Sequence, residues 1–272
     1  MAMPGSISPK GFKAMRVLAN IALLAGCLAL TACAAGPRVP RYTERFEREV
    51  RNTANPGSVA ARDIAFARAA RDDGESAAFR AYAADDAVIH EAAGLVAAAA
   101  RSADRAAPRQ WTPQSIWSSC DGRTAISQGK YADPNGQWGY YLTVWERQRD
   151  YDYAYVYQIA APDSVLTAPE NAEREAPPEG DDVIVVRAIP MISGEVADCP
   201  SDGVPPAPLP APALEQGARI GGETSQDGTL AWRWSQAADG RRSIVASHWR
   251  DGAWEEAVRF VVTANGRYEQ AD

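Results

Sequence analysis

The chain has 272 residues, of which 46% are hydrophobic and 23% charged, so it is long enough to bury a large core and too apolar to be disordered throughout. Its formal net charge of -7 argues against the broad basic surface that binds nucleic acid. Four cysteines and two histidines supply few metal ligands, and we expect neither a metal site nor another cofactor.

The N-terminal residues have the pattern of a secretory signal. Several basic residues precede an apolar run from Val17 to Leu30, and small residues follow it. The run is shorter than the about 20 apolar residues that cross a membrane as a helix. Translation starting at Met1 or at Met15 would give this pattern.

Two cysteines near the end of the run resemble the acylated cysteine of a bacterial lipobox. The sequence LTAC ends at Cys33, and LAGC ends at Cys27. We favour Cys33, because use of Cys27 would leave the apolar sequence LALTAC in the mature protein. The resemblance therefore implies a lipoprotein signal peptide over residues 1–32. Ala34 follows Cys33, which in similar Gram-negative lipoproteins implies anchoring to the periplasmic face of the outer membrane.

A tether and a helix are predicted next. Residues 33–57 have the polar composition of a tether, and Asn55 to Ser58 has the pattern of a helix start. The helix should run from Ser58 to Gly74. Its apolar face is predicted to contain Val59, Ile64, Ala67 and Ala70, with Phe66 beside them.

The sequence after Gly74 predicts three shorter elements. A helix should cover SAAFRAYAAD, and Ala87–Ile89 should form a short strand. The alanine-rich stretch from Gly94 to Ala107 favours another helix, which ends before Pro108.

From Trp111 onward the hydrophobic pattern has the period of two that is typical of strands. Strands are predicted at residues 115–118, 124–131, 137–148 and 152–159. In the last of these, Tyr151, Tyr153, Tyr155 and Tyr157 are expected on one face.

The C-terminal part divides into a loop and a meander. Residues 166–214 are predicted to be a proline-rich loop with one strand beginning at Val183, and its end, Val204–Leu214, favours polyproline II. Residues 215–272 are predicted to form a β-meander of three strands, with turns at Asp239-Gly240 and Asp251-Gly252.

The order of these elements resembles the nuclear-transport-factor-2-like (SnoaL-like) superfamily over residues 58–162. The similar segments are FARAARDDG, AFRAYAADDAVIH, the tripeptide WTP and GQWGYYLTVWERQRDYDYAYVYQIAAP. The resemblance implies an α+β fold in residues 58–165: a cone-shaped, curved antiparallel sheet with N-terminal helices, closing around a pocket. The C-terminal residues would form a β-rich extension.

The same resemblance suggests a weak catalytic candidate. Isomerases of the superfamily carry a basic carboxylate shortly after an Asp-Asp-Ala sequence, which here places Glu91 as the base, with His90 beside it. The position of their tyrosine donor corresponds to Phe66 or Ala67, and neither can donate a hydrogen bond. We therefore interpret His90 and Glu91 as surface residues at a strand end and expect no catalytic residue.

Cys120 and Cys199 are the two cysteines that follow the anchor. In an oxidising compartment such a pair predicts a disulfide. Both cysteines fall at expected strand ends, so the bridge would tie the C-terminal extension to the preceding domain.

These observations predict a non-catalytic, lipid-anchored periplasmic protein. Its partners would be the membrane, through the anchor, and a small apolar ligand or an envelope protein, and not nucleic acid. Two alternatives stay open: a SnoaL-like isomerase, cyclase or dehydratase that uses Glu91, and a structural module that forms a homodimer.

Overall fold

The computed structural model of the chain describes residues 53–100, 107–168, 191–200, 203–210 and 216–270. Within these residues, helices α1 (Pro56–Asp73) and α2 (Glu75–Ala81) precede twelve strands. The fold is therefore α+β, as the sequence predicts. The expected cleavage site, the tether up to residue 52 and the strand expected at Val183 lie outside the described residues.

The first sheet has seven strands in the order β2-β1-β6-β5-β4-β3-β7 and is open at both edges. Its pairs are antiparallel except β1 with β6 and β3 with β7, which are parallel. The strands are β1 (Ala83–Glu91), β2 (Gly94–Ala97), β3 (Gln110–Ser118), β4 (Thr124–Ala132), β5 (Trp138–Arg147), β6 (Tyr153–Pro162) and β7 (Ser193–Val196).

The second sheet has five antiparallel strands in the order β12-β11-β10-β9-β8. It contains the predicted three-strand meander with one additional strand at each edge. The strands are β8 (Arg219–Thr224), β9 (Leu230–Gln236), β10 (Arg242–Arg250), β11 (Ala253–Val262) and β12 (Tyr268–Glu269).

Helix α1 begins where the sequence predicts, but its buried face differs. The side chain of Asn55 accepts a hydrogen bond from the backbone N–H of Ser58, which caps the helix. Ile64 is exposed, contrary to the expectation. Val59, Phe66 and Ala70 are buried as expected, together with Ala60 and Asp63. A charged side chain therefore lies within the apolar face.

The helix expected from Gly94 to Ala107 is wrong for its described part. Strand β2 pairs with β1 in a tight hairpin, with Glu91 opposite Gly94, and only Ala98–Ala100 form a short 3₁₀ turn. The helical propensity of alanine is a small preference, and here pairing with β1 outweighs it. Residues 101–106 are not described.

Two hydrophobic cores divide the molecule into three layers. One lies between the helices and the first sheet and includes Phe66, Phe79 and Trp145. The other lies between the two sheets and includes Tyr157 and Phe260. Because the described residues belong to one compact unit and the two sheets share a core, the C-terminal sheet is packed against the first sheet rather than tethered to it.

Candidate functional site

A buried carboxyl group connects helix α1 to the first sheet. Asp63 is fully buried, and its Oδ1 accepts a hydrogen bond of 3.0 Å from the indole of Trp111. Its Oδ2 accepts from the hydroxyls of Ser127 at 2.7 Å and Tyr141 at 2.9 Å. Ser127 in turn accepts from the indole of Trp145. One carboxyl group therefore accepts hydrogen bonds from side chains of three strands, β3, β4 and β5.

Burial changes the acid–base behaviour of this cluster. Removal from water raises the pKa of Asp63 to about 6, although its hydrogen bonds with Ser127, Tyr141 and Trp111 act in the opposite direction. Burial and the neighbouring Asp63 raise the pKa of Tyr141 well above its ordinary value. The carboxyl can therefore exchange a proton near neutral pH, but all of its donors are side chains of the protein itself.

The space beside this cluster is small. A cavity of about 20 Å³ lies between the helices and the first sheet, beside Tyr141, Phe79 and Arg109. That volume holds about one water molecule, whereas small-molecule sites measure roughly 300–1,000 Å³. Aromatic rings pack in the core between the helices and the first sheet, where Phe66 contacts Phe79, Tyr82, Trp111, Trp145 and Tyr155.

Arg109 borders this cavity and is bound to Glu75. The carboxylate of Glu75 is buried and accepts hydrogen bonds from the backbone N–H of Arg109 at 2.7 Å and from its guanidinium at 3.4 Å. This pair attaches the start of α2 to the segment before β3. The buried carboxylate of Glu75 is thereby paired with a cation.

The two catalytic candidates from the sequence lie apart. Glu91 is exposed at the end of β1. His90 is buried, with 2% of its surface accessible, and its Nδ1 is 2.6 Å from the hydroxyl of Tyr157. The interpretation of His90 as a surface residue is therefore wrong, because β1 continues past it and the second sheet covers its side chain.

An apolar groove lies on the outer face of the second sheet. The proline-rich segment 203–210 crosses this face, and the indole of Trp254 donates to the carbonyl of Ala207 at 2.8 Å. The groove has a volume of about 370 Å³. Its apolar walls are Leu209, Pro210, Ala218, Ile220, Val245 and Val261.

Three arginines surround this groove: Arg233, Arg241 and Arg259. The guanidinium of Arg233 donates to the carbonyl oxygens of Glu223 and Trp232, so neutral acceptors hold it. Arg259 forms an ion pair with Glu256. A wider hollow of about 560 Å³ at the β4–β5 turn is lined by polar residues and is a poor match for an apolar ligand.

The predicted disulfide is present. Cys120 and Cys199 are bonded, with their Cα atoms 5.2 Å apart. Cys120 lies just after β3 rather than within it, and its backbone N–H donates to the hydroxyl of Thr229 at 2.9 Å. Cys199 lies after β7. The bridge therefore joins the segments that follow two neighbouring strands of the first sheet. The segment after β7 also contacts the second sheet, because the backbone N–H of Asp198 donates to the carbonyl of Trp249 at 2.9 Å.

The acylation candidates Cys33 and Cys27 lie outside the described residues. In the part of the chain that the structure describes, no group of three or more potential ligands could hold a metal ion. Among the same residues, no helix is long and apolar enough to cross a membrane.

Comparison with known proteins finds no matching protein-family model and no matching curated protein. The site must therefore be interpreted from its own chemistry. Sequence reasoning missed Asp63, although a signal existed: it lies four residues after Val59 and three before Phe66, the spacing of one helix face.

Proposed function

We propose that the protein is a lipid-anchored envelope protein that binds a small apolar ligand carrying an acidic group, without catalysing a reaction. The observation that carries this proposal is the groove on the second sheet. Its volume of about 370 Å³ falls within the range of small-molecule sites, whereas the helix-side cavity measures about 20 Å³.

The chemistry of the groove supports an acidic end on the ligand. Val245 and Val261 provide apolar contact, and Arg233 presents a charge that only neutral acceptors hold among the described residues. In a chain with a net charge of -7, cations beside an apolar surface favour an anionic amphiphile.

The superfamily resemblance is a second part of the proposal. We assign residues 58–165 a cone-shaped fold of the nuclear-transport-factor-2-like kind. Support comes from two helices that precede the sheet and share a core with it. The parallel pairing of β1 with β6 is a topological feature that any relative should reproduce. Lipidation at Cys33, and outer-membrane location, rest on the sequence alone.

The alternative functions stay predictions. An isomerase, cyclase or dehydratase would need a carboxylate and a donor that converge on a substrate. Asp63 has converging donors but is enclosed, and Glu91 is exposed and apart from it. Sedimentation of the purified protein would test the homodimer.

Binding of anilinonaphthalene sulfonate, an aromatic anion, tests the proposed function. We expect fluorescence enhancement that decanoate competes away. Val245→Asp should weaken binding about tenfold or more, because it places a negative charge against the probe. Val165→Asp is the matched control, since Val165 is an exposed valine outside the groove. Equal binding by both variants would contradict the proposal.

A further inference from the structure

One row of polar side chains crosses the second sheet. In the register of β8, β9 and β10, Gln236 lies directly opposite Arg219 on one side and Arg242 on the other. Directly opposite residues of antiparallel strands project from the same face. The sheet therefore presents an amide between two guanidiniums, on the side that faces the first sheet.

The opposing layer contributes His90. Its Nδ1 is 2.6 Å from the Tyr157 hydroxyl, while its Nε2 is buried without a hydrogen-bond partner. The ring of Trp234 packs against it at 5.3 Å between centroids. When Tyr157 donates to Nδ1, the proton of the neutral imidazole is on Nε2, which makes that atom an unused donor.

A second buried donor in this region is unused. Arg242 is 6% accessible, and its Nε has no hydrogen-bond partner. Glu91 interacts with Arg242 electrostatically, but no ion pair joins the two among the described residues. Two buried N–H groups without acceptors are costly unless a further acceptor is bound.

The charges around His90 are unbalanced. Burial, Arg242 and Arg219 all lower the pKa of this histidine, and the nearby side chain of Gln236 acts in the opposite direction. The groups facing it from the neighbouring strands are therefore Tyr157, two guanidiniums and one amide. Among the described residues, the exposed Glu91 is a carboxylate near this group, and it acts on Arg242.

The β1–β2 turn is shaped around one of these guanidiniums. Gly94 has a φ of 126°, and a Cβ at this position would lie 2.5 Å from Nη2 of Arg219. That same Nη2 donates to Oε1 of Gln236 at 2.6 Å, and Gln236 donates to the carbonyl of Ala92 at 3.0 Å. Glycine thus permits the close approach that positions Arg219.

We propose that this junction binds an oxyanion, the carboxylate or phosphate group of a small molecule, between Arg219, Arg242 and His90. The oxyanion accepts from Nε2 of His90 and Nε of Arg242, and Arg219 is the exposed member of the site. Most of the apolar groove lies on the opposite face of the second sheet, and Trp234 both lines the groove and packs against His90. The two proposals are tested separately, because probe fluorescence reports on the groove and the His90 resonances report on this site.

Histidine NMR of the full chain tests the site, because the chain has only two histidines and His248 serves as an internal control. Phosphate and acetate are added separately against chloride at equal ionic strength. We expect one of them to shift the His90 resonances and to raise its pKa by about one pH unit. A response to phosphate or to acetate assigns the group that binds, and His248 should not respond.

Arg219→Gln should weaken the response about tenfold, since it removes a charged donor from an exposed position where folding tolerates the change. Gly94→Ala should weaken it by displacing Arg219. Arg267→Gln, an exposed position between β11 and β12, is the matched control and should respond as wild type. The proposal is overturned if neither oxyanion shifts His90 beyond chloride, or if Arg219→Gln responds as wild type.

Discussion

Tyr155 and Tyr157 are two residues apart in β6, yet they pack on opposite faces of the first sheet. Tyr155 belongs to the core beneath the helices, and Tyr157 belongs to the core between the sheets. A bulge causes this, because Trp145 is paired with Tyr155 and the adjacent Val144 with Tyr157. The bulge brings the Tyr157 hydroxyl to His90.

The burial of His90 gives the protein a specific pH dependence. Burial and Arg242 lower its pKa to about 4, below the 6.5 of the unfolded state. The stabilisation from the neutral imidazole is therefore complete above about pH 6.5 and is lost as the pH falls towards 4. As the pH falls over this range, the stability of His90→Asn relative to wild type should therefore rise, by at most about 3 kcal/mol. Urea denaturation at several pH values measures this.

Glu269→Gln is the control for this experiment, since it changes an exposed carboxylate in β12, whereas Glu91 acts on Arg242 beside His90. We expect its stability, relative to wild type, to vary little over the same pH range. A His90→Asn variant whose relative stability is unchanged between pH 7 and pH 4 would contradict the assignment of a buried, neutral imidazole.

Asp63 should show the opposite dependence. Burial raises its pKa to about 6 from an ordinary 3.8, so the folded protein holds this proton more tightly than the unfolded chain. The stabilisation is present at low pH and is lost as the pH rises through 6. Asp63→Asn should therefore gain stability relative to wild type between pH 4 and pH 7, by at most about 3 kcal/mol.

The absolute stability of Asp63→Asn should be lower than that of wild type at pH 4, because an amide cannot accept from all three donors at once. Thermal or urea unfolding across the pH range provides both quantities. Asp73→Asn, an exposed position on the same helix, should show neither effect. A relative stability that falls with rising pH would show that Asp63 is charged at pH 4.

Several elements follow directly from local sequence. Asn55 and Pro56 define the start of α1, and the turn at Asp251-Gly252 has positive φ at both residues, the conformation such a dipeptide favours in a hairpin. The alternation of apolar and polar residues alone predicts the strands of the meander. These features depend on residues close in the chain, so the sequence suffices for them.

Other features depend on contacts between distant residues. The bulge in β6 reverses the face of Tyr157 without changing the alternation in the sequence, so the four tyrosines could not be separated beforehand. The hairpin at Gly94 exists because β1 offers a partner strand. His90 is buried because the second sheet covers it. The hydrophobic pattern of β1 contains no information about a sheet formed by residues more than 100 positions later.

Removal of the disulfide should lower stability without separating the sheets. The bridge spans a sequence separation of 79 residues, for which the chain-entropy model gives roughly 4–5 kcal/mol. The core between the sheets persists in Cys120→Ala/Cys199→Ala, so we expect one cooperative transition at lower denaturant. Wild-type protein treated with a reductant should unfold in the same single transition at lower denaturant as the double variant. Two separate transitions would contradict the shared core.

Acylation at Cys33 can be tested with a matched pair of cysteine variants. Cys33→Ser should abolish recovery in the membrane fraction, because acyl chains contribute ~0.8 kcal/mol per buried methylene. Cys27→Ser should remain in the membrane. Mass spectrometry of the mature N-terminus should show a lipid-modified cysteine followed by Ala34. A lipidated Cys27 would show that the first lipobox is used instead.

The central claim, binding in the groove of the second sheet, is tested most directly by a crystal structure of the protein with decanoate. The alkyl chain is expected between Leu209 and Val261, with the carboxylate directed towards Arg233 or Arg241. Decanoate bound instead beside Tyr141 on the helix side, or a groove that stays empty at saturating decanoate, would contradict the account.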